Sequence, residues 1–591
     1  MIWKTNIIIS RIPAVVFFLL ILVISAISFD FLFAIFDGFS PSTDFVGILG
    51  WAGCISAIFA LGRKNIRHIV FLFIVFFLIG FYTGPFLEPP SDPINHLHRT
   101  HQINNQSIKE LYQKDTRFGL NLGIWHYSMM SCILHSSDRE ETPGKILRDI
   151  HILHGLFLGL IVCSLFLLGK FTGLPNRWAV FSCFTAILFF GTNLFSFFRY
   201  YSFGPTFTSI MIFWLWTGRF FFSDDQKSIW TGMLSGFLLF PILLVNHSQE
   251  AAFLAIAMTL WILTAISHSD AFQKMPMRLF FLMATLVVFF LLPQFTLIQK
   301  IVAGMVDFNW WPSNQNMLLT YHDFFFGIKP WIDRIPETAG IAGITPIFCF
   351  LIIRFIRKNT DSRVTIRLLV LGVLPFIACL VPMIALFWLT VTYQDSVYRM
   401  CYISFFWLSI AYCLFACESR IQNKNFFFAL CLTFLFLIAG VRTSPVYGKL
   451  DFFLLDTNNW LKEWKPLIEE AYLKKNEQKI FSDPLTSSAL LGVFDIPVQF
   501  AGKKITSVNF REFERNTTVD IEKMILMNKK GEFHCVVNLH GFQPTWVPTE
   551  TGHWQSELSD TARYYTYKGL TGNSLQKYLQ KHPPANCKVF H

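Results

Sequence analysis

Residues 69–99 read IVFLFIVFFLIGFYTGPFLEPPSDPINHLHR, and this stretch decides what kind of chain this is. Residues 69–86 make an apolar run of the length a helix needs to cross a hydrocarbon core, about 20 residues for about 30 Å. The run breaks at Gly84-Pro85 and turns polar, with prolines at 85, 89, 90 and 93 that stiffen the backbone as it leaves the apolar segment. Runs of the same kind recur at 13–36, 45–62, 150–169, 178–197, 204–222, 229–246, 251–267, 279–297, 339–356, 368–392, 401–417 and 425–441. Of the 591 residues, 53% are hydrophobic, 15% are charged and 68 are Phe. A soluble chain carries about 25% charged residues. A disordered chain, a fibre and a single soluble globule are excluded, and the length prior of about four domains of roughly 150 residues gives way to hydropathy. The expected fold is an all-α polytopic membrane domain of about thirteen transmembrane helices. The first run is too long for the apolar region of a secretory signal and lacks a small-residue cleavage site, so it reads as a retained anchor.

Orientation follows from Lys and Arg in the short connections. With the N-terminus in the cytoplasm, eighteen fall inside and only Arg199 and Arg399 fall in short outer loops. This gives N-in, C-out in a cytoplasmic (inner) membrane, and it accounts for the net charge of +11 as topology, with no nucleic-acid partner. Residues 1–441 form the transmembrane domain, with long outer loops at 87–149 and 298–338, and 442–591 form an extracytoplasmic, periplasmic tail. All three long segments lie on one face, so function is expected there.

The tail changes character. Residues 457–475 read as an amphipathic helix, followed by strand-like and helical stretches (KIFSD, LTSSALLGVFD, PVQFAG, HCVVNLHGF) that suggest a small α/β domain. Residues 548–565 are polar and aromatic, which suits either a sugar-contacting loop or an ordinary surface loop. Nine of the twelve Cys lie in or at the ends of apolar runs; Cys132, Cys535 and Cys587 lie outside them. Cys535 and Cys587 share the tail, and whether they are bridged depends on a Cα separation that sequence does not give.

The first outer loop carries the candidate chemistry. Glu88 and Asp92 sit where the chain leaves the apolar run, so a partly desolvated carboxylate there has its pKa raised toward the range of a general base. Asp92 followed by Pro93 equally suits the first turn of a helix. Residues 94–114 read as that helix, with His98 and Arg99 within a turn of Asp92, and 119–135 as a second helix lying along the surface. His96, His98 and His101 lack a fourth ligand at recognisable spacing, so no essential metal and no cofactor are expected. Asn246-His247-Ser248-Gln249-Glu250 joins two runs tightly, where Glu250 either orients a sugar hydroxyl or caps the next helix. The 298–338 loop holds Trp310, Trp311, Tyr321, His322, Asp323 and Trp331, aromatics suited to covering a sugar or anchoring at an interface. Asn105, Asn246 and Asn516 open N-x-S/T sequons on the outer face.

Many spans, an acid in a first large outer loop with surface helices, and a soluble outer tail resemble the GT-C superfamily of membrane glycosyltransferases. The layout is closest to its aminoarabinose-transferase and protein-mannosyltransferase branches. The segment EPPSDPINHLHR is similar to the P-P-D-E-x-x-H loop of bacterial membrane proteins related to that superfamily. Here Ser91 replaces the first acid and one residue is inserted between Asp92 and His96. The resemblance implies inverting transfer of a sugar from a polyprenyl-phosphate carrier to a glycolipid, glycan or protein acceptor in the bilayer. It implies Asp92 as general base with Glu88 beside it. It implies Arg199 and Arg399, flanked by Tyr200, Tyr201 and Tyr398, as cations for the leaving phosphate. His96, His98, Arg99, Glu250 and His322 are the expected substrate contacts.

Two rivals remain. An O-antigen ligase or polymerase leans on outer Arg and His, for which Arg199, Arg399 and His322 are suited, but the acid-bearing loop and the tail argue against it. A transporter places ionisable groups at mid-membrane, in broken helices related by internal repeats. These runs are almost free of charge away from their ends, Asp30 excepted, and no two halves match. A scaffold that only presents the tail would hardly need so many spans.

Overall fold

The structure is a computed structural model and describes residues 2–33, 41–87, 92–106, 108, 123–135, 142–189, 196–222, 228–266, 364, 367–368 and 405–447, together with 465–473, 480–482, 484–500 and short strands up to 590 of the tail. The described residues are mostly helical. The helices are α1 (Ile2–Phe33), α2 (Thr43–Gly62), α3 (Ile66–Thr83), α4 (Asp92–Asn105), α5 (Ile124–Leu134), α6 (Pro143–Phe171), α7 (Asn176–Phe189), α8 (Ser196–Tyr201), α9 (Pro205–Trp216), α10 (Ser228–Asn246) and α11 (Ser248–Ile266). Beyond them come α12 (Phe406–Glu418), α13 (Lys424–Tyr447), α14 (Lys465–Leu473) and α15 (Pro484–Phe494). These helices occupy the apolar runs expected from sequence, except 279–297, 339–356 and almost all of 368–392, which lie outside the described residues. Among the described residues two stretches, Thr43–Thr83 and Pro143–Phe171, are long and apolar enough to cross a membrane.

Helices α3 and α6 cross closely. Gly155 and Gly159 form a small-xxx-small stripe on α6, and Gly80 faces it from α3. A Cβ on Gly155 would lie 2.7 Å from the Phe77 carbonyl oxygen, and one on Gly80 would lie 2.9 Å from the Gly155 Cα. Both neighbours are backbone and cannot swing aside, so the two helices meet through glycine. Around this crossing α6 is buried along its length by Leu, Ile and Phe. At the far end of the bundle the buried Glu418 is ion-paired through Oε1 with Arg177 at 2.6 Å and accepts through Oε2 from Trp178 Nε1 at 3.1 Å, which ties α7 to the α12–α13 turn. Burying that carboxylate is tolerable because one oxygen is paired with a cation and the other is hydrogen-bonded.

Residues 119–135 were expected to form a surface helix, and the structure corrects this. In α5 the residues from Ile124 to Ser131 are all buried, against α2, α4, α6, α9 and α10. The reason is in its sequence, IWHYSMMSCIL, which has no charged face to offer water; a helix apolar all round is a buried helix. Trp51 Nε1 donates to the Met129 carbonyl at 2.8 Å, and Trp125 Nε1 donates to Ser28 Oγ at 2.9 Å. Helix α5 therefore plugs one end of the bundle, hereafter the α4 end.

The tail contributes two helices to that end. Ile468 and Ala471 of α14 are buried, and α14 packs on α6. Helix α15 buries Ala489, Leu490, Leu491, Val493 and Phe494 and packs on α4, with Gly492 over Ile94. Asn105 Nδ2 donates to Asp495 Oδ2 at 3.3 Å beside this contact. Short strands follow in two sheets, ordered β3-β2-β1-β5-β9 and β4-β8-β7-β6. Their ranges are β1 Ile480–Ser482, β2 Val498–Phe500, β3 Lys503–Ile505, β4 Thr518–Asp520, β5 His534–Asn538, β6 Trp546–Pro548, β7 His553–Ser556, β8 Thr566–Lys568 and β9 Cys587–Phe590. In the first sheet β2, β1, β5 and β9 run parallel, with α15 as the crossover between β1 and β2. Cys535 and Cys587 are register partners on β5 and β9. Neighbouring strands lie about 4.8 Å apart, within the Cα separation that a disulfide accepts.

Replacing Gly155 by Ala should lower stability by about 1–3 kcal/mol, because the added methyl meets backbone. Gly144, on the same helix with nothing within 4 Å of its Cβ direction, is the control. Thermal unfolding of the detergent-purified chain checks this, and equal midpoints for Gly155→Ala and Gly144→Ala would refute the close crossing.

Candidate functional site

The chain from Arg199 to Ser209, where α8 passes into α9, gathers the polar side chains at the α4 end. It begins at the terminus of α3. The last carbonyls of a helix have no partner within it and must find one elsewhere when buried. Arg199 Nε donates to the Gly84 carbonyl at 3.0 Å and Nη2 donates to that of Thr83 at 3.2 Å. His151 Nδ1 lies 2.7 Å from the Phe81 carbonyl oxygen, so the ring donates there. Gly84 itself has φ 64° and ψ 170°, a region essentially confined to glycine, with the His151 ring against its Cα. One turn further, His154 Nδ1 lies 2.8 Å from Ser202 Oγ, fully buried.

Next to these, three imidazoles converge on Gly204-Pro205. His96 of α4 lies 2.7 Å through Nδ1 from the Tyr127 hydroxyl, and its Nε2 comes up against Gly204. His126 of α5 lies 3.3 Å from Thr208 Oγ1. Asn246, at the end of α10, accepts from the His126 backbone N–H at 3.0 Å. It reaches with Nδ2 to the Pro205 carbonyl at 3.1 Å, Thr208 Oγ1 at 3.0 Å and Ser209 Oγ at 2.7 Å. His247 is paired through Nδ1 with Glu250 Oε2, and its Nε2 lies 3.4 Å from Thr206 Oγ1. The Glu250 side chain is fully buried. A carboxylate that fixes one imidazole nitrogen leaves the other as a proton acceptor or donor of defined direction, the logic of a base and its orienting acid.

The expected site residues fall out as follows. The backbone of Asp92 opens α4, where an acid meets the positive end of the helix dipole. His96 lies four residues on, on the same face. His98 is buried on the stripe formed by Ile94, Leu97 and His101, and His101 is paired with His135 at 3.1 Å. Arg99 is half-buried. Tyr200 lies in α8, and Tyr201 packs against the core. Arg199 holds the α3 terminus with two of its nitrogens, and its carbonyl accepts from the Phe86 N–H at 3.3 Å. Glu250 is brought to the same cluster. Glu88, Arg399, His322 and the aromatic residues of the 298–338 loop lie outside the described residues. The Asn246 sequon is not a modification site in this fold, since its amide is buried and bonded to protein. Among the described residues no group of three or more His, Cys, Asp or Glu could hold a metal ion.

Sequence reasoning missed Tyr127, His126, Thr208, Ser209, His151 and His154, and it read Asn246 and His247 only as a tight connection. The pair His151 and His154 is the signal that was available: two imidazoles three residues apart at the start of an apolar run mark a polar contact within the bundle. No protein-family model, curated protein or solved structure matches the chain.

Burial pushes His126 down to about 3, the neighbouring charges of His96 and His247 act in the same direction, and contact with the Phe203 backbone opposes them. In an opened chain this imidazole returns to its ordinary value near 6.5. Between those values the unfolded state binds more protons, so stability falls as pH drops below about 6.5. We expect thermal stability to decline from about pH 7 to about pH 5, with His126 contributing at most about 1.4 kcal/mol per pH unit. The decline should be shallower in His126→Asn. Identical slopes in the two proteins would show that His126 is not the group that charges on opening.

Proposed function

We propose that the chain is a membrane glycosyltransferase that moves a sugar from a polyprenyl-phosphate carrier to a lipid, glycan or protein acceptor on the outer face of the cytoplasmic membrane. In this reading about thirteen spans place the α4 end outside, and 442–591 form a small α/β domain there. Support for a lipid surround comes from side chains such as Phe71, Ile48, Phe426 and Phe434, which are 60–66% exposed on apolar helices. Support for the α/β domain comes from the β1–α15–β2 unit and its parallel neighbours.

One observation carries the chemical assignment. The chain that leaves α3 is joined at Phe86 to the Arg199 carbonyl, and α4, whose backbone Asp92 opens, carries His96 against Gly204 in the junction that Arg199 begins. In the proposed step the Asp92 carboxylate takes the acceptor hydroxyl proton as that oxygen attacks the anomeric carbon. The bond from that carbon to the phosphate oxygen breaks with inversion, and the departing phosphate carries the electron pair. Its charge is met by Arg199 and Arg399. Glu88 stands by as a second carboxylate, and His96, Arg99, Tyr200, Tyr201, Glu250 and His322 surround the sugar or its acceptor.

The test compares purified wild type with Asp92→Asn on radiolabelled polyprenyl-phosphate sugars and a membrane glycolipid extract. The amide is nearly isosteric and still suits a helix start, so it separates a base from a cap. Transfer should fall at least about a hundredfold, the usual size of a general-base contribution. A folded mutant as active as wild type would remove Asp92 from the chemistry.

A further inference from the structure

A second site lies on the opposite side of the polar cluster, inside the apolar bundle. A cavity of about 440 Å³ runs between α1, α2, α9 and α10. Its lining on α10 extends from Asn246 back to Thr231, which at 1.5 Å per residue is about 22 Å of helix. The walls are apolar, and Gly50 and Gly53 of α2 leave space where side chains would otherwise fill it. Phe18 of α1 and Leu234 of α10, 46% and 51% exposed, stand at its lateral edge. That shape, long, narrow, apolar and open sideways, fits a hydrocarbon chain and gives no purchase to a polar metabolite.

The two ends of the cavity differ. At the α4 end, Asn246 and Thr208 spend their polar atoms on protein, and Trp125 gives its N–H to Ser28. Among the described residues no charged side chain lines the cavity at that end. At the other end the lining includes Arg219, carried on a π-helical turn (Thr217–Phe221) that continues α9, with its guanidinium 5.5 Å from the Phe220 ring centre. Such turns interrupt helices mostly at functional positions. A guanidinium offers a fork of donors matched to a phosphate.

We propose that this cavity binds one glycerophospholipid, with an acyl chain between α1 and α10 and its phosphate on Arg219. In the topology read from sequence this is a lipid of the cytoplasmic leaflet. The proposal does not depend on the transferase reading, whose site lies at the opposite end.

The probe is dioleoyl phosphatidylglycerol added to the delipidated full-length protein in detergent and counted by native mass spectrometry. Glycerol 3-phosphate serves as headgroup without chains, and a polyprenyl phosphate as the rival occupant. One molecule of phosphatidylglycerol should bind wild type at least about tenfold more tightly than Arg219→Gln, as expected for one charge-assisted contact. Arg219→Lys, which keeps the charge, should retain most of that affinity. Ser235→Phe, which fills the lining from α10, should abolish binding while gel filtration and thermal midpoint stay those of a folded protein. Equal binding by Arg219→Gln or by Ser235→Phe overturns the proposal. So does competition by glycerol 3-phosphate, which would make this a free phosphate site, or occupancy by the polyprenyl phosphate in place of the phospholipid.

Discussion

The carbonyl groups that end α3 must be bonded to something, and much of the α4 end follows from how that is done. A helix end buried in apolar surroundings cannot leave its last acceptors to water. Here His151 takes the Phe81 carbonyl, and Arg199 takes those of Thr83 and Gly84. The cation also sits at the negative end of the helix dipole, so charge and hydrogen bonds favour the same place. His151 reaches that carbonyl only because α6 lies so close to α3, which is the work of Gly80, Gly155 and Gly159. Gly84 then turns the chain with a positive φ, leaving room for the His151 ring, and Pro85 prevents the helix from resuming.

From this anchor the junction at 199–209 is fixed, and it in turn fixes its neighbours. Ser202 meets His154, Gly204 meets His96, the Pro205 carbonyl accepts from Asn246, Thr206 lies by His247, and Thr208 lies by His126. Four separate stretches of sequence are thereby held at one place through contacts to a single short connection, three of them by polar contacts. Such a network is costly if half satisfied and rigid when complete. Breaking one member, Arg199 above all, should therefore be felt as loss of stability as well as loss of any chemistry. An activity defect at Arg199 is interpretable only beside a measurement of folding.

The helices were largely legible in the sequence, since hydropathy depends on local runs and α1, α2, α3, α6 and α10 occupy them. The acid at the start of α4 was legible for the same reason: Asp-Pro after a run of prolines marks a helix start. What stayed hidden depended on tertiary contact. His98 looked like a companion of Asp92, yet it falls in the i, i+3, i+4, i+7 stripe Ile94, Leu97, His98 and His101, which is buried. Helix α5 was placed on the surface by position in a long loop, although its lack of a charged face argued for burial. Arg199 was read from its breach of the charge rule, and that reading left hidden its bonds to the α3 terminus. The Gly155-x-x-x-Gly159 spacing could have been read as a crossing point; its partner Gly80 could not, because nothing local identifies which helix faces it.

The tail also changes meaning once its contacts are known. In sequence, 442–591 looked like a separable module beside the membrane domain. In the fold, α14 rests on α6 and α15 rests on α4, with Gly492 over Ile94 and Asp495 reached by Asn105. The buried face of α15 contains Leu490, Leu491, Val493 and Phe494, side chains that would expose apolar surface in a detached tail. The same helix is the crossover between β1 and β2, so the sheet is tied to α4 through it. Helix α4, which carries His96, is therefore backed by a helix of the tail. The tail thus helps hold α4 in place, and removing it should disturb the site even if no tail residue touches substrate.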